Sequence, residues 1–376
     1  MTILGVIGGG QLGRMLALAA APLGVRCRVL EPGAAPPAAP VAEVIRANYD
    51  DPDGLARLAH GADAVTFEFE NVPAAAVDGL ARLTPVFPGA LALATAQDRV
   101  TEKALFRQLG IAIPEMRSVT DPDELKAALE AIGLPAVLKT RRLGYDGKGQ
   151  AVLRSLEDVG PAWRAIGAAP AIVEAFVEFE RELSILSVRG RDGATAFYPL
   201  VENHHNDGIL RHSLAPAPNL TIALQQQAEA IAQRVLDALD YVGVLAIELF
   251  QVGDTLLANE MAPRVHNSGH WTIEGATTSQ FENHVRAVLG LPLGATDCQR
   301  PTAMLNLIGA LPSIEPLLAI AGAHVHVYGK APRHGRKLGH VTLCSHSYSD
   351  LQAKCTRVQS LIADQVELNA GEHQGA

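Results

Sequence analysis

Short aliphatic runs alternate with glycine turns and amphipathic stretches in the first third of the chain. Residues 2–7 are aliphatic and β-branched, which predicts a strand, and the alanine-rich residues 14–23, ended by Gly24, predict a helix. Residues 26–30 predict a second strand. Residues 65–71 alternate apolar and polar side chains, which predicts a strand with Glu68 and Glu70 on one face. This order of elements indicates an α/β domain with a parallel sheet.

A second series of elements begins near residue 98. Helical patterns over residues 100–109 and 121–132 precede strands at 136–139 and 150–154, which enclose a glycine-rich loop. Residues 244–250 and 255–260 predict a hairpin, and residues 323–328 and 339–344 predict strands around a basic segment. A chain of 376 residues exceeds what one hydrophobic core usually serves. We therefore predict an amino-terminal domain over 1–98, a central domain over 99–295 with a lid at about 111–178, and a carboxyl-terminal domain over 296–376.

Composition and charge narrow the function classes. The formal charge of −9 argues against a nucleic-acid binder or an anionic-membrane binder, which would carry a basic excess. The four cysteines lie far apart without a C-x-x-C pair, so neither a disulfide framework nor a cysteine zinc site is indicated. No apolar run reaches the ~18 residues that span a bilayer, and the amino terminus shows no basic leader. These features predict a cytoplasmic protein.

The first glycine-rich loop follows the first strand. Gly8, Gly10 and Gly13 satisfy the spacing G-x-G-x-x-G, and Glu31 closes the second strand, where a dinucleotide fold places a ribose carboxylate. An NAD site is therefore one interpretation. The same glycines would serve any phosphate at a helix amino terminus, or only a tight turn that helix packing requires.

A second glycine-rich loop, residues 144–150, follows the buried strand that ends in Lys139. Its glycines let backbone N–H groups approach phosphate oxygens, while Lys139 supplies a fixed positive charge. The chain contains no G-x-x-x-x-G-K-[ST] string, so any nucleotide is held by a device other than a Walker A loop. The loop could instead be an ordinary flexible turn. Residues 171–177, which are apolar apart from Glu174, suit an adenine pocket, and Glu182 is a candidate for the ribose hydroxyls.

Two glutamates in the predicted hairpin form a candidate metal site. Glu248 and Glu260 are equidistant from Asp254, so a hairpin centred there places them opposite each other. Two like charges in that position repel unless a cation lies between them. Magnesium takes oxygen ligands and uses only one or two protein carboxylates when it also binds phosphates, so we predict Mg²⁺ here.

Polar side chains after the hairpin suggest a binding site for a small anion. Arg264 can clamp an oxyanion, while His266 and Asn267 can donate to or accept from a small polar substrate. We expect His270 to be a structural group. Farther on, Lys330, Arg333, Arg336 and Lys337 cluster in a stretch without acidic residues, which predicts a site for a phosphate monoester. A solvated basic turn is the alternative interpretation.

The order of these motifs resembles the ATP-grasp superfamily and, within it, the N5-carboxyaminoimidazole ribonucleotide synthetases of purine biosynthesis. The resemblance runs from Ile3 to about Thr342. It is carried by residues 8–14 (GGGQLGR), 144–150 (GYDGKGQ), 259–271 (NEMAPRVHNSGHW) and 335–340 (GRKLGH). It implies an α/β fold with a Rossmann-like amino-terminal domain that precedes the ATP-grasp domain, a central two-lobed ATP-grasp domain, and a small β-rich carboxyl-terminal domain. It also implies ATP-dependent carboxylation of 5-aminoimidazole ribonucleotide by bicarbonate, and a homodimer.

The resemblance also assigns residues. It implies that magnesium lies on Glu248 and Glu260, and that bicarbonate meets Arg264, His266 and Asn267. The first glycine loop would then serve a substrate phosphate. The implied contacts of 5-aminoimidazole ribonucleotide are Gln11, Glu70, Tyr145, Asp146 and Lys148, with its phosphate near Lys330, Arg336 and Lys337. The implied ATP contacts are Arg99, Lys139, Gly144, Tyr145, Asp146, Gly147, Lys148, Gly149, Gln150, Glu174, Ala175, Phe176, Val177, Glu182, His205, Asn259 and Glu260.

A mechanism follows as a hypothesis. Bicarbonate attacks the γ-phosphate of ATP, carboxyphosphate forms, and its breakdown gives carbon dioxide for the amine of the ribonucleotide. Asp146 is the candidate base that removes the amine proton, with His266 as the second candidate. Three other classes stay open at this point: a formate-dependent ATP-grasp ligase, an NAD-dependent oxidoreductase and a non-catalytic nucleotide sensor.

Overall fold

The structure is a computed structural model that describes residues 1–144 and 147–372, with side chains described as far as residue 363. The amino-terminal part is a parallel sheet in the strand order β3-β2-β1-β4, flanked by helices. Its strands, in chain order, are β1 (Ile3–Ile7), β2 (Arg26–Leu30), β3 (Glu43–Ile45) and β4 (Ala64–Phe67), and its helices are α1 (Gln11–Ala20), α2 (Pro52–Ala59), α3 (Ala74–Leu80) and α4 (Ala90–Ala96). The helix that the sequence predicts over 14–23 begins at Gln11 and ends at Ala20. A 3-10 turn, Ala21–Leu23, follows it, because Pro22 cannot continue an α-helix.

The predicted strand at 65–71 is too long. Strand β4 ends at Phe67, and the residues after it turn away from the sheet. Glu68 and Glu70 therefore do not share a strand face. This change of direction carries the Glu68 carboxylate to the amino terminus of α1, with consequences for the first glycine loop.

A lid subdomain follows, built on an antiparallel sheet in the order β5-β8-β6-β7. Helix α5 (Arg99–Gln108) leads into it and packs against the large sheet. The elements of the lid are β5 (Met116–Val119), α6 (Pro122–Ile132), β6 (Ala136–Thr140), β7 (Gln150–Leu153), α7 (Val159–Ala165) and β8 (Ala171–Ala175). Helix α6 starts cleanly because the Asp121 carboxylate accepts from two backbone N–H groups and Pro122 occupies the first turn. The second glycine loop joins β6 to β7, as the sequence predicts.

The largest sheet runs through the remainder of the chain. Its main strand order is β14-β13-β9-β11-β12-β15-β17-β16, with β10 beside β9. The strands are β9 (Arg181–Arg189), β10 (Thr195–Phe197), β11 (Val201–Asn206), β12 (Ile209–Ala215), β13 (Gly243–Val252), β14 (Thr255–Ala262), β15 (Thr302–Ile308), β16 (Ala323–Val327) and β17 (Lys337–Cys344). The helices are α8 (Ile222–Ala238), α9 (Thr272–Gly275), α10 (Gln280–Leu289), α11 (Ile314–Leu318) and α12 (Tyr348–Glu372). Because β12 pairs with β15, the sheet continues from the central part of the chain into the carboxyl-terminal part.

The amino-terminal sheet is fixed to the large sheet by apolar packing and one buried histidine. Helices α1 and α10 pack together in a shared hydrophobic core. His284 on α10 hydrogen-bonds Thr66 Oγ1 of β4 at 2.8 Å through Nε2 and accepts from Val244 N of β13 at 3.1 Å through Nδ1. The hairpin that carries the two candidate metal carboxylates is therefore anchored to the amino-terminal domain.

Candidate active site

A cavity of about 1220 Å³ opens where the three sheets meet. Its walls come from the amino-terminal domain, the lid, the β13–β14 hairpin and the basic segment before β17. The predicted site residues that line it are Gln11, Glu70, Arg99, Lys139, Gly144, Gly147, Lys148, Gln150, Glu182, His205, Glu248, Asn259, Glu260, Arg264, His266, Asn267, Lys330, Arg336 and Lys337. Tyr145 and Asp146 lie outside the described residues.

The β13–β14 hairpin places its two glutamates opposite each other, as predicted, but through a different register. The turn consists of Gly253 and Asp254, and the strand pairing that starts from it would bring Glu248 opposite Asn259. A bulge shifts the ladder by one residue at that point, so Glu248 faces Glu260 instead. The equal spacing from Asp254 gave the correct pair although Asp254 is not the centre of the turn.

The two carboxyls have opposite tendencies to hold a proton. Burial and the charge of Glu260 raise the pKa of Glu248. Burial also opposes ionisation of Glu260, but the Arg99 guanidinium, which donates from Nη1 to Oε2 at 2.8 Å, lowers its pKa. The pair thus has less positive charge nearby than two carboxylates need, which favours a divalent cation between them. An all-oxygen donor pair of this kind suits Mg²⁺.

Lys139 reaches the cavity from a buried row of charges. Its ammonium contacts Glu174 Oε2 at 2.6 Å and donates to Asn259 Oδ1 at 3.0 Å, while Lys103 contacts Glu174 Oε1 at 2.8 Å. Burial works against the ionised form, but the two lysines outweigh it and lower the pKa of Glu174 to about 2. The Glu174 carboxylate therefore orients Lys139.

This row changes the interpretation of the predicted adenine segment. The Glu174 side chain is 2% exposed, and neither Glu174 nor Ala175, Phe176 and Val177 form part of the cavity walls. Lys103 was missed by sequence reasoning because a lysine on a helix is usually solvated, whereas this one is completely buried.

The second glycine loop rests on the turn between β11 and β12. Gly147 has φ +74°, and a Cβ there would lie 2.8 Å from Asp207 O; Gly208 has φ +71°, and a Cβ there would lie 2.4 Å from Gly147 Cα. Only glycines allow the two backbones to come this close. Gly208 was not predicted as a site residue, although an Asp-Gly pair between two polar strands is a turn signal. Gly149 packs against Thr140 and does not line the cavity.

Glu182 and His205 meet at another part of the cavity wall. The Glu182 carboxylate hydrogen-bonds His205 Nδ1 across neighbouring strands. Burial favours the neutral imidazole, but Glu182 outweighs it and raises the pKa of His205. Phe250 lines the same cavity and stacks on Phe179 with ring centroids 4.8 Å apart, which supplies an apolar surface.

The residues predicted for small anions lie on the floor of the cavity. Arg264 pairs with Glu70, and Asn267 exchanges amide hydrogen bonds with Asn306 at 2.7 and 3.1 Å. Burial, with Arg264 nearby, lowers the pKa of His266 to about 3, so its ring is neutral at physiological pH. His270 borders the cavity but is nearly inaccessible, and its Nδ1 is hydrogen-bonded to Gln280.

The first glycine loop is closed by the protein's own carboxylates. Gly10 N and Gly13 N both donate to Glu68, and Gly9 N donates to Glu31 Oε2 at 3.0 Å. A Cβ at residue 10 would lie 2.6 Å from Glu68 Oε1. The cradle that a dinucleotide or substrate phosphate would use is therefore filled. The NAD interpretation is therefore wrong, while the expectation that this loop serves a substrate phosphate stays a prediction, although the N–H groups of Gly9, Gly10 and Gly13 already have protein acceptors.

Gln11, which lies between Gly10 and Gly13 at the start of α1, still lines the cavity. Its side-chain oxygen accepts from Lys330 Nζ at 3.0 Å, which joins the amino-terminal domain to the basic segment near the carboxyl terminus. Arg336 and Lys337 line the same part of the cavity. The residues assigned from the resemblance to one ribonucleotide thus lie together although more than 300 positions separate them in sequence.

Comparison with known proteins decides the family. Family models match residues 1–97 (ribonucleotide synthetase preATP-grasp domain), 104–281 (ATP-grasp domain) and 302–354 (phosphoribosylaminoimidazole carboxylase C-terminal domain). The N5-carboxyaminoimidazole ribonucleotide synthase of Pseudomonas aeruginosa is 54% identical over 96% of this chain and 99% of its own length. The chain belongs to the N5-carboxyaminoimidazole ribonucleotide synthase family.

Solved structures agree with this family. The synthetase from Thermus thermophilus superposes with a TM-score of 0.91 at 54% identity, covering 95% of this chain and 98% of that one. The synthase from Aspergillus clavatus, in complex with ADP and 5-aminoimidazole ribonucleotide, gives 0.91 at 32% identity, covering 96% and 99%.

Membership in the synthase family confirms several predictions. The fold is the predicted ATP-grasp arrangement, and the chain is an ATP-dependent ligase of purine biosynthesis that forms N5-carboxyaminoimidazole ribonucleotide from 5-aminoimidazole ribonucleotide. Use of ATP is thereby established, and magnesium is typical of the family. The family models fall inside the three predicted domains without fixing their limits, which stay predictions. No helix in the described part of the chain is long and apolar enough to cross a membrane.

Proposed function

We propose that this member of the synthase family uses bicarbonate as the carboxyl source and makes carboxyphosphate in the cavity described above. The observation that carries the proposal is that a single cavity contains both the residues suited to ATP and magnesium and the residues suited to a phosphorylated acceptor. Lys139, Glu248 and Glu260 line this cavity together with Gln11, Lys330 and Lys337. ATP and a phosphorylated acceptor can therefore lie in the same enclosed space.

The nucleotide side of the proposal uses the lid and the hairpin. We assign phosphate contacts to Arg99, Lys139 and the loop 144–150, and a ribose contact to Glu182. Glu248 and Glu260 would hold Mg²⁺, which supplies charge neutralisation for the phosphate oxygens when it is bound. The backbone of residues 174–177 remains a proposed adenine contact, while the Glu174 side chain serves Lys139.

The acceptor side uses Gln11, Glu70 and the basic residues of the carboxyl-terminal segment. Lys330, Arg336 and Lys337 offer cationic donors for the phosphate of 5-aminoimidazole ribonucleotide. Tyr145 and Asp146 of the lid loop belong to the same proposal and lie outside the described residues.

The reaction proceeds in two parts. A bicarbonate oxygen attacks the γ-phosphorus and ADP leaves, while Lys139 and Arg264 stabilise the charge that develops on the transferring group. Carboxyphosphate then releases phosphate and carbon dioxide, and the exocyclic amine of the ribonucleotide attacks the carbon. The amine proton passes to a base, for which Asp146 is our candidate.

Phosphate release tests the proposal directly. With Mg²⁺-ATP and bicarbonate, we expect release to require 5-aminoimidazole ribonucleotide and to disappear in Glu260→Gln. Release that is indifferent to the ribonucleotide would contradict the substrate assignment. Substituting formate for bicarbonate should abolish product, and a formylated product would instead support the formate-dependent alternative. Near-normal turnover in Asp146→Asn would remove Asp146 from proton transfer.

We also propose a cytoplasmic homodimer. The four cysteines are free, which suits a reducing compartment. Analytical ultracentrifugation at micromolar concentration should give about twice the mass of the 39.7 kDa chain, and a monomer would contradict the dimer.

A further inference from the structure

A buried row of polar side chains runs behind His266 through the large sheet. Ser213 on β12, Asn203 on β11, Ser184 on β9 and Ser268 in the turn Asn267–Gly269 follow each other across adjacent strands. All four side chains are between 0% and 5% exposed. Hydroxyls and amides in a sheet core have no packing advantage over apolar side chains of similar size, so their arrangement calls for another reason.

The hydrogen bonds in this row all point in one direction. Ser213 Oγ donates to Asn203 Oδ1 at 2.8 Å, and Asn203 Nδ2 donates to Ser184 Oγ at 3.0 Å. Ser184 Oγ donates in turn to Ser268 Oγ at 2.8 Å. Because Ser268 Oγ already accepts a proton, its own hydroxyl proton is available for His266 Nδ1, which lies 2.9 Å away.

A backbone group fixes the end of the row. Ser268 N lies 3.3 Å from His266 Nδ1 and donates to it. A backbone N–H cannot rotate or reverse, so Nδ1 must present a lone pair. In a neutral imidazole the proton then resides on Nε2. His266 Nε2 lies on the cavity side, 3.6 Å from Glu248 Oε1.

We propose that Ser213, Asn203, Ser184 and Ser268 form a relay that, together with the Ser268 backbone N–H, orients His266 as the Nε2–H tautomer, so that His266 acts as a hydrogen-bond donor to the carboxyl group in transit. The donor role rests on the proposed function, whereas the tautomer does not. A base needs a bare nitrogen toward its substrate, and here the bare nitrogen faces Ser268. His266 is thus removed as the second candidate base, and the four residues of the relay are positioning residues.

Nitrogen-15 NMR of histidine-labelled protein tests the tautomer without using turnover. The His266 signals are identified by their loss in His266→Asn. We expect Nε2 to give the shift of a protonated nitrogen and Nδ1 that of a bare one. In Ser184→Ala and Ser268→Ala the Ser268 N–H still opposes a proton on Nδ1, so Nε2 should keep the shift of a protonated nitrogen, while the Nδ1 shift should move as the hydrogen bond from the Ser268 hydroxyl is weakened or lost. A wild-type signal from a protonated Nδ1 would overturn the proposal.

Ser187→Ala is the matched control. Ser187 is on the same strand as Ser184 and equally buried, but its hydroxyl donates to Leu245 O and takes no part in the relay. We expect its NMR shifts and turnover to equal those of the wild type. Ser184→Ala should lower kcat about tenfold, the low end of the effect of losing a supporting hydrogen bond, with little change in KM for ATP. Ser184→Thr keeps the hydroxyl and should recover most of the loss.

The outcomes of these experiments distinguish failure of the relay from failure of the proposed function. If Ser184→Ala and Ser187→Ala behave alike in both NMR and kcat, the relay has no orienting role and the proposal fails. If the tautomer and the Ser184→Ala shifts are as expected but phosphate release ignores the ribonucleotide, the proposed function fails and the tautomer assignment stands.

Discussion

The chain contains two glycine-rich loops that look alike in sequence and differ in what occupies them. In the first, Gly10 and Gly13 direct their N–H groups to the Glu68 carboxylate. In the second, Gly144 and Gly147 form part of the cavity wall. The difference lies in a side chain far away in sequence, because a protein carboxylate at a helix amino terminus takes the place that a phosphate would use.

Charge makes the same distinction. The first loop is bordered by Glu31 and Glu68, whereas the second follows Lys139 and contains Lys148. Glycines permit a close approach of backbone to anion, but the surrounding charges decide whether the anion belongs to the protein or to a ligand. A glycine pattern therefore predicts a ligand only after the chain's own carboxylates have been considered.

The largest expected effect comes from Lys139→Met, which removes the cation beside the second loop. We expect kcat/KM for ATP to fall about 10²–10³-fold, as when one preorganised electrostatic contact is lost. Steady-state phosphate release provides the measurement. Lys126→Met serves as control and should be unaffected, because Lys126 is exposed in the same subdomain and pairs with Asp123 at 3.5 Å. Equal rates in the two variants would show that the second loop works without Lys139.

Lys103→Met tests the support behind Lys139. It leaves Glu174 with one lysine in place of two, and breaking a buried pair commonly costs about 3–5 kcal/mol of unfolding free energy. We expect a lower denaturation midpoint and an increase in KM for ATP of about tenfold, since supporting hydrogen bonds of this kind are worth 10–100-fold. The double variant Lys103→Met with Glu174→Gln removes the negative charge of Glu174 as well.

The double variant separates stability from orientation. Its midpoint should recover only in part, because Glu174 no longer carries a buried negative charge but the buried Lys139 loses its ionic partner. KM for ATP should stay high for the same reason, since nothing charged holds Lys139 in position. A double variant with wild-type KM would show that the row stabilises the fold without orienting Lys139.

Sequence reasoning found the second loop because its evidence is local. Lys139 and the glycines are neighbours, and Glu248 and Glu260 lie in one hairpin, so spacing alone brings them together. The roles of Glu174 and Glu68 could not be predicted in this way, because their partners come from other elements. Glu174 pairs with Lys103 and Lys139, and Glu68 accepts from Gly10 N and Gly13 N. The same holds for the relay behind His266, which crosses three strands whose adjacency no local pattern encodes.

The hairpin shows that a correct prediction can rest on an incomplete reason. Symmetric spacing about Asp254 pointed to the right pair, yet the two-residue turn would by itself pair Glu248 with Asn259. A bulge in the ladder corrects the register, and bulges of this kind are common beside active sites.

Gly208→Ala tests whether catalysis requires the close packing of the second loop against the β11–β12 turn. The new Cβ would lie 2.4 Å from Gly147 Cα, so the loop must move away. We expect KM for ATP to rise several-fold and phosphate release to become partly independent of the ribonucleotide, because an unseated lid admits water. Gly253→Ala is the matched control, with φ +57° and no atom within 4 Å of its Cβ. It carries the same backbone strain without the contact, so similar kinetics in both variants would assign the effect to strain.

The smallest expected effect comes from opening the first loop with Glu68→Ala. The N–H groups of Gly10 and Gly13 lose their acceptor, which loosens the start of α1 and the adjacent Gln11. Loss of a carboxylate cap at a helix amino terminus costs about 1 kcal/mol, so KM for 5-aminoimidazole ribonucleotide should rise roughly fivefold while KM for ATP stays constant. Added acetate should lower the KM for 5-aminoimidazole ribonucleotide again, because it can occupy the space of the missing Glu68 carboxylate. Glu43→Ala, which removes an exposed glutamate paired with Arg28 in the same domain, should show neither effect. If Glu68→Ala instead raises KM for ATP, the two loops act on one ligand and the contrast between them does not hold.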